Sequence, residues 1–398
     1  MKIDFAKTDY GKEEIRVVNN VMKSSWLASG KENEMFEKEF ADYIGTRYAI
    51  CVNSGSSANL ISLKSLNLPK GSKILTSGCG FPATLSPILH CGYEPVLVDY
   101  DIKTHNIDVE QVLSKIPGID AIIFAHTMGN PVDVERIMEK AKQYDVKVIE
   151  DCCEAVGTSI HDKYVGFFGL LGTFSFYPAH QITALGGGGM VVTNDDRIAK
   201  ELRSLRDWGK TYDWDSYLGD HKTRYSYSIN GIKYFKHYTY ETLGYNMKLP
   251  EANAAFGRVQ LKRLDGFTEK RIKNYNYLKN KLKGFKDIFY DIEIVDGAKP
   301  SWFGYILTFK DGKFSRNDFG DYLEDNGIRT RPFFAGNITR HKPFRQLERD
   351  LPVADKLMRD SLFIGIWQGL GKKELDYIAE KIGEYLGKKS NRLLSKTA

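Results

Sequence analysis

The sequence predicts an α/β protein, with a large domain built on a mostly parallel sheet and a smaller C-terminal α+β domain. Short β-rich runs alternate with helical patterns through the first half of the chain, which is typical of a parallel sheet wrapped by helices. Several runs, such as Ala121–Ala125, are continuously apolar, as expected for strands covered on both faces. The length of 398 residues allows one large and one smaller domain.

The elements of the large domain follow from local patterns. A helical stripe near the N-terminus carries Ile15, Val18, Val21 and Met22. The predicted strands are Tyr48–Val52, Lys73–Thr76, Pro95–Val98, Ala121–Ala125, Val146–Ile149, Thr173–Tyr177 and Met190–Thr193. Residues 206–244 are rich in Tyr, Asp, Lys and Gly without clear periodicity, which predicts a long functional loop or an irregular insertion.

The smaller domain begins with a helix. Its apolar side carries Phe267, Ile272, Tyr275, Leu278 and Leu282. A strand at Ser301–Thr308 and a helix at Ser315–Asn326 follow. We place the domain change near residue 250, which gives a large domain of residues 1–250 and a smaller domain of residues 251–398.

Charge and composition exclude several classes of protein. The net charge of +6 is spread along the chain, whereas nucleic-acid binding needs a concentrated basic face, so we expect no nucleic acid. A small anionic substrate fits the mild positive excess equally well. No run approaches the roughly 20 apolar residues of a membrane span. Met1–Lys7 lack a secretory signal pattern, so we expect a cytoplasmic protein without membrane contact. The five cysteines, an odd number without Cys-x-x-Cys spacing, favour free thiols in a reducing compartment.

A loop between a predicted strand and helix has the composition of a phosphate site. The segment Asn53-Ser-Gly-Ser-Ser-Ala-Asn59 offers backbone N–H groups at a helix start and two hydroxyl donors, Ser56 and Ser57. Gly and Ser also cap many helices that bind nothing. A second hydroxyl source is Ser175, at the end of another predicted strand.

Two further residues suit an aromatic cofactor with a pyridine ring. Asp151 closes an apolar strand at the carboxyl edge of the sheet, where its carboxylate would keep a pyridine nitrogen protonated, while Glu150 points the other way. Phe81 is a plausible stacking residue for the face of the ring. Taken singly, Asp151 also reads as a helix cap and Phe81 as a core residue.

The segment Phe174-Ser-Phe-Tyr-Pro-Ala-His180, followed by Gly186–Gly189, looks like a pyridoxal phosphate site whose lysine is missing. In enzymes of this layout a lysine binds the cofactor aldehyde covalently. An imidazole forms no stable bond of that kind, so the cofactor would be held noncovalently, as pyridoxamine phosphate or pyridoxal phosphate. Histidine still moves protons near neutral pH, which makes His180 the candidate base. The alternative is a buried histidine in an unrelated strand and turn.

Longer motifs carry a family resemblance. They are Ser54-Gly-Ser-Ser-Ala-Asn-Leu60, Ala125-His-Thr-Met-Gly-Asn130, Glu150-Asp-Cys-Cys-Glu-Ala155, Ser175-Phe-Tyr-Pro-Ala-His180, Arg206-Asp-Trp-Gly209, Leu243-Gly-Tyr-Asn246, Pro300-Ser-Trp-Phe-Gly304 and Phe334-Ala-Gly-Asn337. With these motifs the chain resembles the DegT/DnrJ/EryC1/StrS sugar aminotransferase family over nearly its whole length. It looks most like the family's CDP-4-keto-6-deoxy-D-glucose 3-dehydrases, and the exchange of lysine for histidine also occurs in its GDP-4-keto-6-deoxymannose 3-dehydratases.

The resemblance implies a fold and a set of roles. The fold would be the aspartate aminotransferase type (PLP fold type I), as a symmetric homodimer. The implied cofactor contacts are Ser56, Ser57 and Ser175 to phosphate, Asp151 to the pyridine nitrogen, Glu154 near the ring hydroxyl, Phe81 on the ring and Asn246 to the phosphate of the other subunit's cofactor.

The chain departs from the family pattern at two places. No cysteine occurs after Cys153, and Lys210–Trp214 stands where the ascarylose-type enzymes hold a two-iron, two-sulfur centre, so we expect no iron-sulfur cluster. Gln181 replaces a second histidine, and the usual glutamate of the glycine turn is absent from Leu185–Gly189.

The resemblance implies a pyridoxamine-dependent lyase that removes the C3 hydroxyl of a nucleotide-linked 4-keto-6-deoxyhexose, with CDP favoured over GDP. Glutamate would restore the amine form of the cofactor. Arg329, Arg331, Gln181, His341 and the Tyr212–Tyr240 loop are candidate substrate contacts, although the charged ones read equally as surface residues. The alternatives are an ordinary sugar aminotransferase and a noncatalytic protein that binds sugar nucleotides.

Overall fold

The structure, a computed structural model, describes residues 1–211, Tyr225 and residues 227–394. Up to residue 206 the helices are α1 (Lys12–Ser24), α2 (Lys31–Ile44), α3 (Gly55–Ser65), α4 (Pro82–His90), α5 (Val109–Lys115), α6 (Val134–Gln143) and α7 (Asp196–Arg206). The strands of this region are β1 (Tyr48–Val52), β2 (Lys73–Ser77), β3 (Glu94–Val98), β4 (Tyr100–Asp101), β5 (Asn106–Ile107), β6 (Ala121–Ala125), β7 (Lys147–Asp151), β8 (Ser159–Ile160), β9 (Lys163–Tyr164), β10 (Leu171–Ser175) and β11 (Gly189–Thr193). The later elements are β12 (Tyr227–Ile229), β13 (Ile232–Tyr234), α8 (Glu251–Lys281), β14 (Ala298–Lys299), β15 (Gly304–Thr308), α9 (Arg316–Asp325), β16 (Thr330–Pro332), α10 (Pro352–Asp360), β17 (Ser361–Gly365) and α11 (Lys372–Leu394).

A seven-stranded sheet in the order β1-β11-β10-β7-β6-β2-β3 forms the centre of the molecule. The neighbouring pairs from β10 to β3 are parallel, and β11 alone runs antiparallel to both of its neighbours. This confirms the predicted class, a mostly parallel sheet with helices. The parallel strands therefore end at one edge, where loops after β1, β2, β7 and β10 meet.

The sheet is covered on both faces, as its continuously apolar strands predict. On one face, the rings of Phe40 in α2 and Phe174 in β10 lie 4.9 Å apart in an edge-to-face arrangement. On the other face, Ile61 of α3 and Leu202 of α7 are fully buried in one cluster with Ile50 of β1. The two layers of helices fix the height of the strand ends and hence of the loops that follow them.

The predicted strand Thr173–Tyr177 was misplaced by two residues. The observed β10 is Leu171–Ser175, because Leu171 to Thr173 pair with Ile149 to Asp151 of β7. This pairing depends on a distant strand and has no local signal. The shift puts Ser175 at the strand end and leaves residues 176–181 to form the turn that carries His180.

A smaller antiparallel sheet, β15-β17-β16, lies beyond α8 and is covered by α9 and α10, while α11 packs on α8 and α9. The strands of the main sheet come from residues 48–193 and those of the small sheet from residues 304–365, with α8 between them. The first residues lie against the small sheet, where Ile3 bridges to Ile328. None of the described helices is both long and apolar enough to cross a membrane.

The region expected to be irregular contains a short hairpin. Strands β12 and β13 pair around a turn at Asn230 and Gly231, whose φ angles of 50° and 83° suit the two-residue turn that such sequences favour. Residues 212–224 and residue 226, which include part of the predicted substrate loop, lie outside the described residues. The predicted N-terminal helix forms as α1, but only Val21 of its apolar stripe is buried, and Ile15 and Met22 are exposed.

Candidate active site

Asp151 is the last residue of β7, and its carboxylate is almost completely buried. Its Oδ2 accepts hydrogen bonds from Asn59 Nδ2 at 2.7 Å and Thr84 Oγ1 at 2.8 Å. Its Oδ1 accepts one from the backbone N–H of Cys153 at 3.2 Å. Donors from α3, from α4 and from its own loop therefore hold the carboxylate at the strand edge, as a permanent partner for a cation.

The start of α3 forms a preorganised anion site beside this carboxylate. Ser54 caps the helix, because its Oγ accepts from the N–H of Ser57 at 3.1 Å, while Ser57 Oγ donates to Asn53 Oδ1 at 2.6 Å. Ser56 is exposed next to them. The helix N-terminus and these hydroxyls suit a phosphate monoester.

The strand end at Ser175 lies directly against this loop. A side-chain carbon built on Gly55 would lie 2.7 Å from both Cys153 Sγ and Ser175 Cβ, so only glycine fits there. Gly189 pairs with both Val52 and Ser175, and a carbon built on it would lie 2.4 Å from the carbonyl oxygen of Ser54. Two glycines without side chains thus bring the predicted phosphate donors together in one cradle.

Phe81 lies on the open side of the cradle. It precedes α4, has 57% of its surface exposed and lines a cleft of about 350 Å³ together with Ser56 and Ser57. Its ring lies 6.4 Å from that of Phe334, in an edge-to-face arrangement. An exposed ring beside the anion site is available to stack on a flat ligand.

His180 lies in the turn after β10, and its backbone N–H donates to the carbonyl of Tyr177 at 2.9 Å. The imidazole packs against Phe303, with ring centroids 5.4 Å apart. Its Nδ1 has no hydrogen-bond partner among the described residues. Burial lowers the pKa of His180 to about 4, and the Arg271 charge lowers it too, against a hydrogen bond with the backbone of Ser175 that raises it. The imidazole is therefore neutral at pH 7 and can accept a proton.

Glu154 adds a second carboxyl group, which differs from the Asp151 carboxylate in its protonation. Burial raises the pKa of Glu154 to about 8; the N–H of Met128, which donates to its Oε2 at 2.8 Å, opposes this rise, and the Asp151 charge adds to it. The side chain is therefore protonated at pH 7, and a protonated carboxyl donates a hydrogen bond. That property suits the neighbourhood of a ring hydroxyl.

These residues fit a pyridoxal or pyridoxamine phosphate. The two glycines let Ser175 pack directly against the start of α3, the Asp151 carboxylate and the anion site lie at the same strand edge, and Nδ1 of His180 has no hydrogen-bond partner among the described residues. Pyridine nitrogen, phosphate and a proton-transferring carbon are the groups that would meet these three features.

Three other predicted site residues make the following contacts in the structure. Asn246 is exposed, and its backbone bridges to Asp207. Gln181 is fully buried, with Nε2 donating to the carbonyls of Glu154 at 2.6 Å and Ser301 at 2.7 Å. His341 bonds the carbonyl of Ala335.

The two candidate arginines lie at the small sheet. Arg329 forms an ion pair of 2.7 Å with Glu324. Arg331 donates to the carbonyl of Thr330, and its guanidinium lies 5.5 Å from the ring centroid of Phe5. Phe5 in turn contacts Phe303, the ring beside His180, at 5.7 Å. Arg331 is thus connected to the base through two aromatic rings, whereas Arg329 is tied to α9.

Sequence reasoning missed three contributors. Asn59 lies inside a quoted motif and Thr84 lies three residues after Phe81, yet their role as donors to Asp151 depends on the packing of α3 and α4. Arg271 has a sequence signal, because it occupies the same helical stripe as Phe267 and Tyr275 and a charge on an apolar stripe is unusual.

One group of side chains has the composition of a metal site. His126, Glu150 and Cys152 place possible ligand atoms within 4.8 Å of one another. Both oxygens of Glu150 are already occupied, by His126 Nε2 at 3.0 Å and by the N–H groups of Gly166 and Gly169 at 2.9 and 2.6 Å. The group is a satisfied polar cluster that anchors residues 166–169, and Cys152 is a fully buried free thiol within it.

Comparisons with known proteins identify the family and the fold. The model of the DegT/DnrJ/EryC1/StrS aminotransferase family matches residues 8–383. The chain is 36% identical to the lipopolysaccharide biosynthesis protein RfbH of Salmonella typhimurium over 95% of this chain and 90% of that protein. It is also 36% identical to the dTDP-4-dehydro-2,6-dideoxy-D-glucose 3-dehydratase of Saccharopolyspora spinosa, over 92% of this chain and 82% of that protein.

Among solved structures, a GDP-4-keto-6-deoxymannose-3-dehydratase with a trapped PLP-glutamate geminal diamine superimposes with a TM-score of 0.86. The two chains are 27% identical, and the match covers 96% of this chain and 100% of the other. The likeness extends through both sheets and so includes the strand edge described above.

Proposed function

The chain belongs to the DegT/DnrJ/EryC1/StrS aminotransferase family, and from that premise we propose that it is a 3-dehydratase of a nucleotide-linked 4-keto-6-deoxyhexose. The cofactor of this reaction would be pyridoxamine phosphate, restored by glutamate. The observation that carries the proposal is a neutral imidazole at position 180, with an unpaired Nδ1, at the strand edge that holds Asp151 and the anion site.

Each residue has a part in this reaction. Ser175, Ser56, Ser57 and the start of α3 hold the phosphate, and Phe81 covers one face of the ring. When bound, the cofactor supplies an amine for the 4-keto group and a cationic ring that takes up electrons. Asp151 keeps that ring charged, and Glu154 donates to its hydroxyl. His180 accepts a proton at Nδ1 from the cofactor's methylene carbon, and the C3 hydroxyl leaves as water.

The balance of the reaction explains the need for glutamate. The sugar would exchange its C3 hydroxyl for hydrogen and ammonia would be released, which consumes the amine and two electrons that the cofactor would supply. Glutamate returns the amine and leaves as 2-oxoglutarate. An iron-sulfur centre is not part of the proposal, because no cysteine follows Cys153. The relative trapped with glutamate supports this donor.

A homodimer completes the proposal. Asn246 is exposed beside the Asp207 segment, and the proposed role is that it contacts a second copy and binds the phosphate of the partner's cofactor. Mixing Asn246→Ala protein with His180→Asn protein tests this. Exchange of subunits would restore part of the lost activity if the site is shared, whereas a mixture as inactive as its parts would contradict it.

The reaction itself is tested with a panel of substrates. The protein is incubated with pyridoxamine phosphate, glutamate and CDP-, GDP- or dTDP-linked 4-keto-6-deoxyhexoses, and ammonia and product mass are measured. We expect ammonia and a 3-deoxy sugar, with the CDP-linked substrate preferred. An amino sugar without ammonia would identify an aminotransferase. A protein that shows no absorbance of the added cofactor would be a noncatalytic relative.

A further inference from the structure

Arg271 of α8 is a buried cation without an acidic partner. Only 1% of its surface is exposed, and among the described residues no carboxylate forms an ion pair with it. Burial lowers the pKa of Arg271 to about 9, so the guanidinium stays charged at pH 7. A buried charge of this kind is costly unless hydrogen bonds compensate it.

The compensation comes from four oxygen atoms around the guanidinium. Its Nη1 donates to the carbonyls of Trp302 at 3.0 Å and Phe303 at 3.4 Å, and its Nε donates to Gln368 Oε1 at 3.1 Å. Its Nη2 donates to the carbonyl of His180 at 3.3 Å. The guanidinium therefore joins the turn after β10 to the segment that enters the small sheet.

The neighbouring residue makes a parallel connection. The amide of Gln181 donates to the carbonyls of Ser301 and Glu154. The carbonyls of residues 301–303 are thus occupied in sequence, one by Gln181 and two by Arg271. Tyr275, one helical turn after Arg271, stacks on Trp302 with ring centroids 3.8 Å apart, which holds the segment against α8.

This connection matters because residue 180 has no covalent link to a cofactor. A lysine at this position would be placed by its own bond, whereas a histidine is placed only by its surroundings. Besides a hydrogen bond with the backbone of Ser175, the ring of His180 contacts Phe303 and Tyr177, and aromatic contacts are less directional than a covalent bond. A fixed backbone carbonyl limits the remaining freedom of the imidazole, and a displacement of about 1 Å in a reacting group is enough to cost roughly 100-fold in rate.

We propose that Arg271 is a positioning residue, which fixes the His180 backbone to Trp302 and Phe303 and so places the imidazole for proton transfer. This role rests on the proposed function of His180 as the base. It assigns no contact with substrate or cofactor to Arg271. It also predicts that the guanidinium fork, and not charge alone, is required, since Lys offers a single donor group in place of the planar fork.

The test compares Arg271→Lys with Arg263→Lys, a matched change on the same helix. Arg263 is half-buried, forms ion pairs with Asp9 and Glu14, and has no hydrogen bond or ion pair with His180 among the described residues. We expect Arg271→Lys to reduce kcat for the 4-keto sugar by about 30-fold, within the range that a misplaced group costs. KM and the dissociation constant for pyridoxamine phosphate should stay within about twofold of wild type, because Arg271 touches neither ligand. Arg263→Lys should match wild type in all three.

A second readout does not depend on activity. The imidazole signals of the ligand-free protein are recorded by NMR, and that of His180 is identified by its loss in His180→Asn. Arg271→Lys should shift or broaden this signal, while Arg263→Lys leaves it in place. An unmoved His180 signal together with wild-type kcat in Arg271→Lys would overturn the proposal. Because the NMR signal is recorded without substrate, it tests the position of the imidazole whatever reaction the protein catalyses.

If Arg271→Lys fails to fold, Gln368→Ala serves instead. Gln368 holds the far side of the guanidinium and leaves its charge in place. The loosened guanidinium should displace the His180 signal and lower kcat by a smaller factor, about fivefold. A His180 signal and a kcat identical to wild type in this variant would refute the positioning role.

Discussion

The ring and phosphate side of the site and the base side are built in different ways. Asp151, Ser175 and the start of α3 are residues at strand ends, and the helices packed on the same sheet supply their partners. His180 instead depends on Arg271, which is 91 residues away in the chain, and on the segment that leads into the small sheet. The cofactor side is therefore a property of one sheet, whereas the base side is a property of the junction between two sheets.

The two sides also differ in charge. Asp151 collects donors on both oxygens, which suits a cationic ring. His180 is kept neutral by burial and by a buried guanidinium that has only neutral acceptors. A fixed anion and a neutral base thus occupy the same strand edge, which is the division of labour that proton abstraction beside a cationic ring needs.

The largest effect on the cofactor side is expected from Asp151→Asn. The amide keeps the volume but removes the charge opposite the pyridine nitrogen, so the ring loses its positive charge and its capacity to accept electrons. We expect kcat to fall by about 1,000-fold, the scale of a lost electrostatic group. Asp133→Asn, at the start of α6, is the control. If Asp151→Asn kept more than a tenth of wild-type kcat, the negative charge of Asp151 would not be required for catalysis.

The protonation state of Glu154 can be tested separately from that of the other groups in the site. The pKa of Glu154 is raised by burial to about 8, so the folded state keeps a proton that the unfolded state loses above pH 4.5. The stability contributed by this group is complete below pH 4.5 and is lost as the pH rises towards 8. Glu154→Gln does not ionise, so its free energy of unfolding should gain at least about 1 kcal/mol on wild type over that interval, since one pKa unit is worth about 1.4 kcal/mol.

Urea unfolding of both ligand-free proteins between pH 5 and 8 measures this difference. Glu139→Gln, at an exposed position of α6, should run parallel to wild type. If the free energy of unfolding of Glu154→Gln also followed that of wild type across this pH range, the Glu154 carboxyl would be ionised in the folded protein. It could then not donate a hydrogen bond to the cofactor.

The smallest effect is expected from Phe81→Ala. The ring is more than half exposed and adds little to the core, but its stacking on the cofactor is worth about 1 kcal/mol. The dissociation constant for pyridoxamine phosphate should rise about fivefold, with kcat at saturation nearly unchanged. Tyr144→Ala, another exposed aromatic residue, is the control. An unchanged dissociation constant in absorbance titrations would show that Phe81 does not stack.

The sequence predicted the cofactor side better than the base side. Apolar runs locate the strands to within about two residues, and polar residues at strand ends then have to meet, which brings Asp151 and Ser175 together without further information. The register of β10 was missed, because it depends on pairing with β7. The surroundings of His180 were missed for a related reason, since a charged residue on α8 gives no local indication of the carbonyls that it meets.

In the segment 206–244, composition alone also gave an incomplete prediction. Their composition suggested an irregular segment, yet residues 227–234 pair as a hairpin through an Asn-Gly turn that the sequence does contain. The Asn-Gly pair was therefore the sequence feature that predicts this hairpin. For Arg271 the available signal was a charge on an apolar stripe, which indicates a buried cation but not its partner.

The most direct test of the account is a single turnover of the pyridoxamine-loaded protein with the 4-keto sugar, comparing His180→Asn with wild type and with His161→Asn, a surface histidine in a turn. Asparagine keeps a similar shape but accepts no proton. The account predicts that His180→Asn binds the cofactor within about threefold of wild type and forms 3-deoxy sugar about 1,000-fold more slowly, the scale of a lost general base, while His161→Asn is unaffected. Formation of 3-deoxy sugar by His180→Asn at the wild-type rate would contradict it.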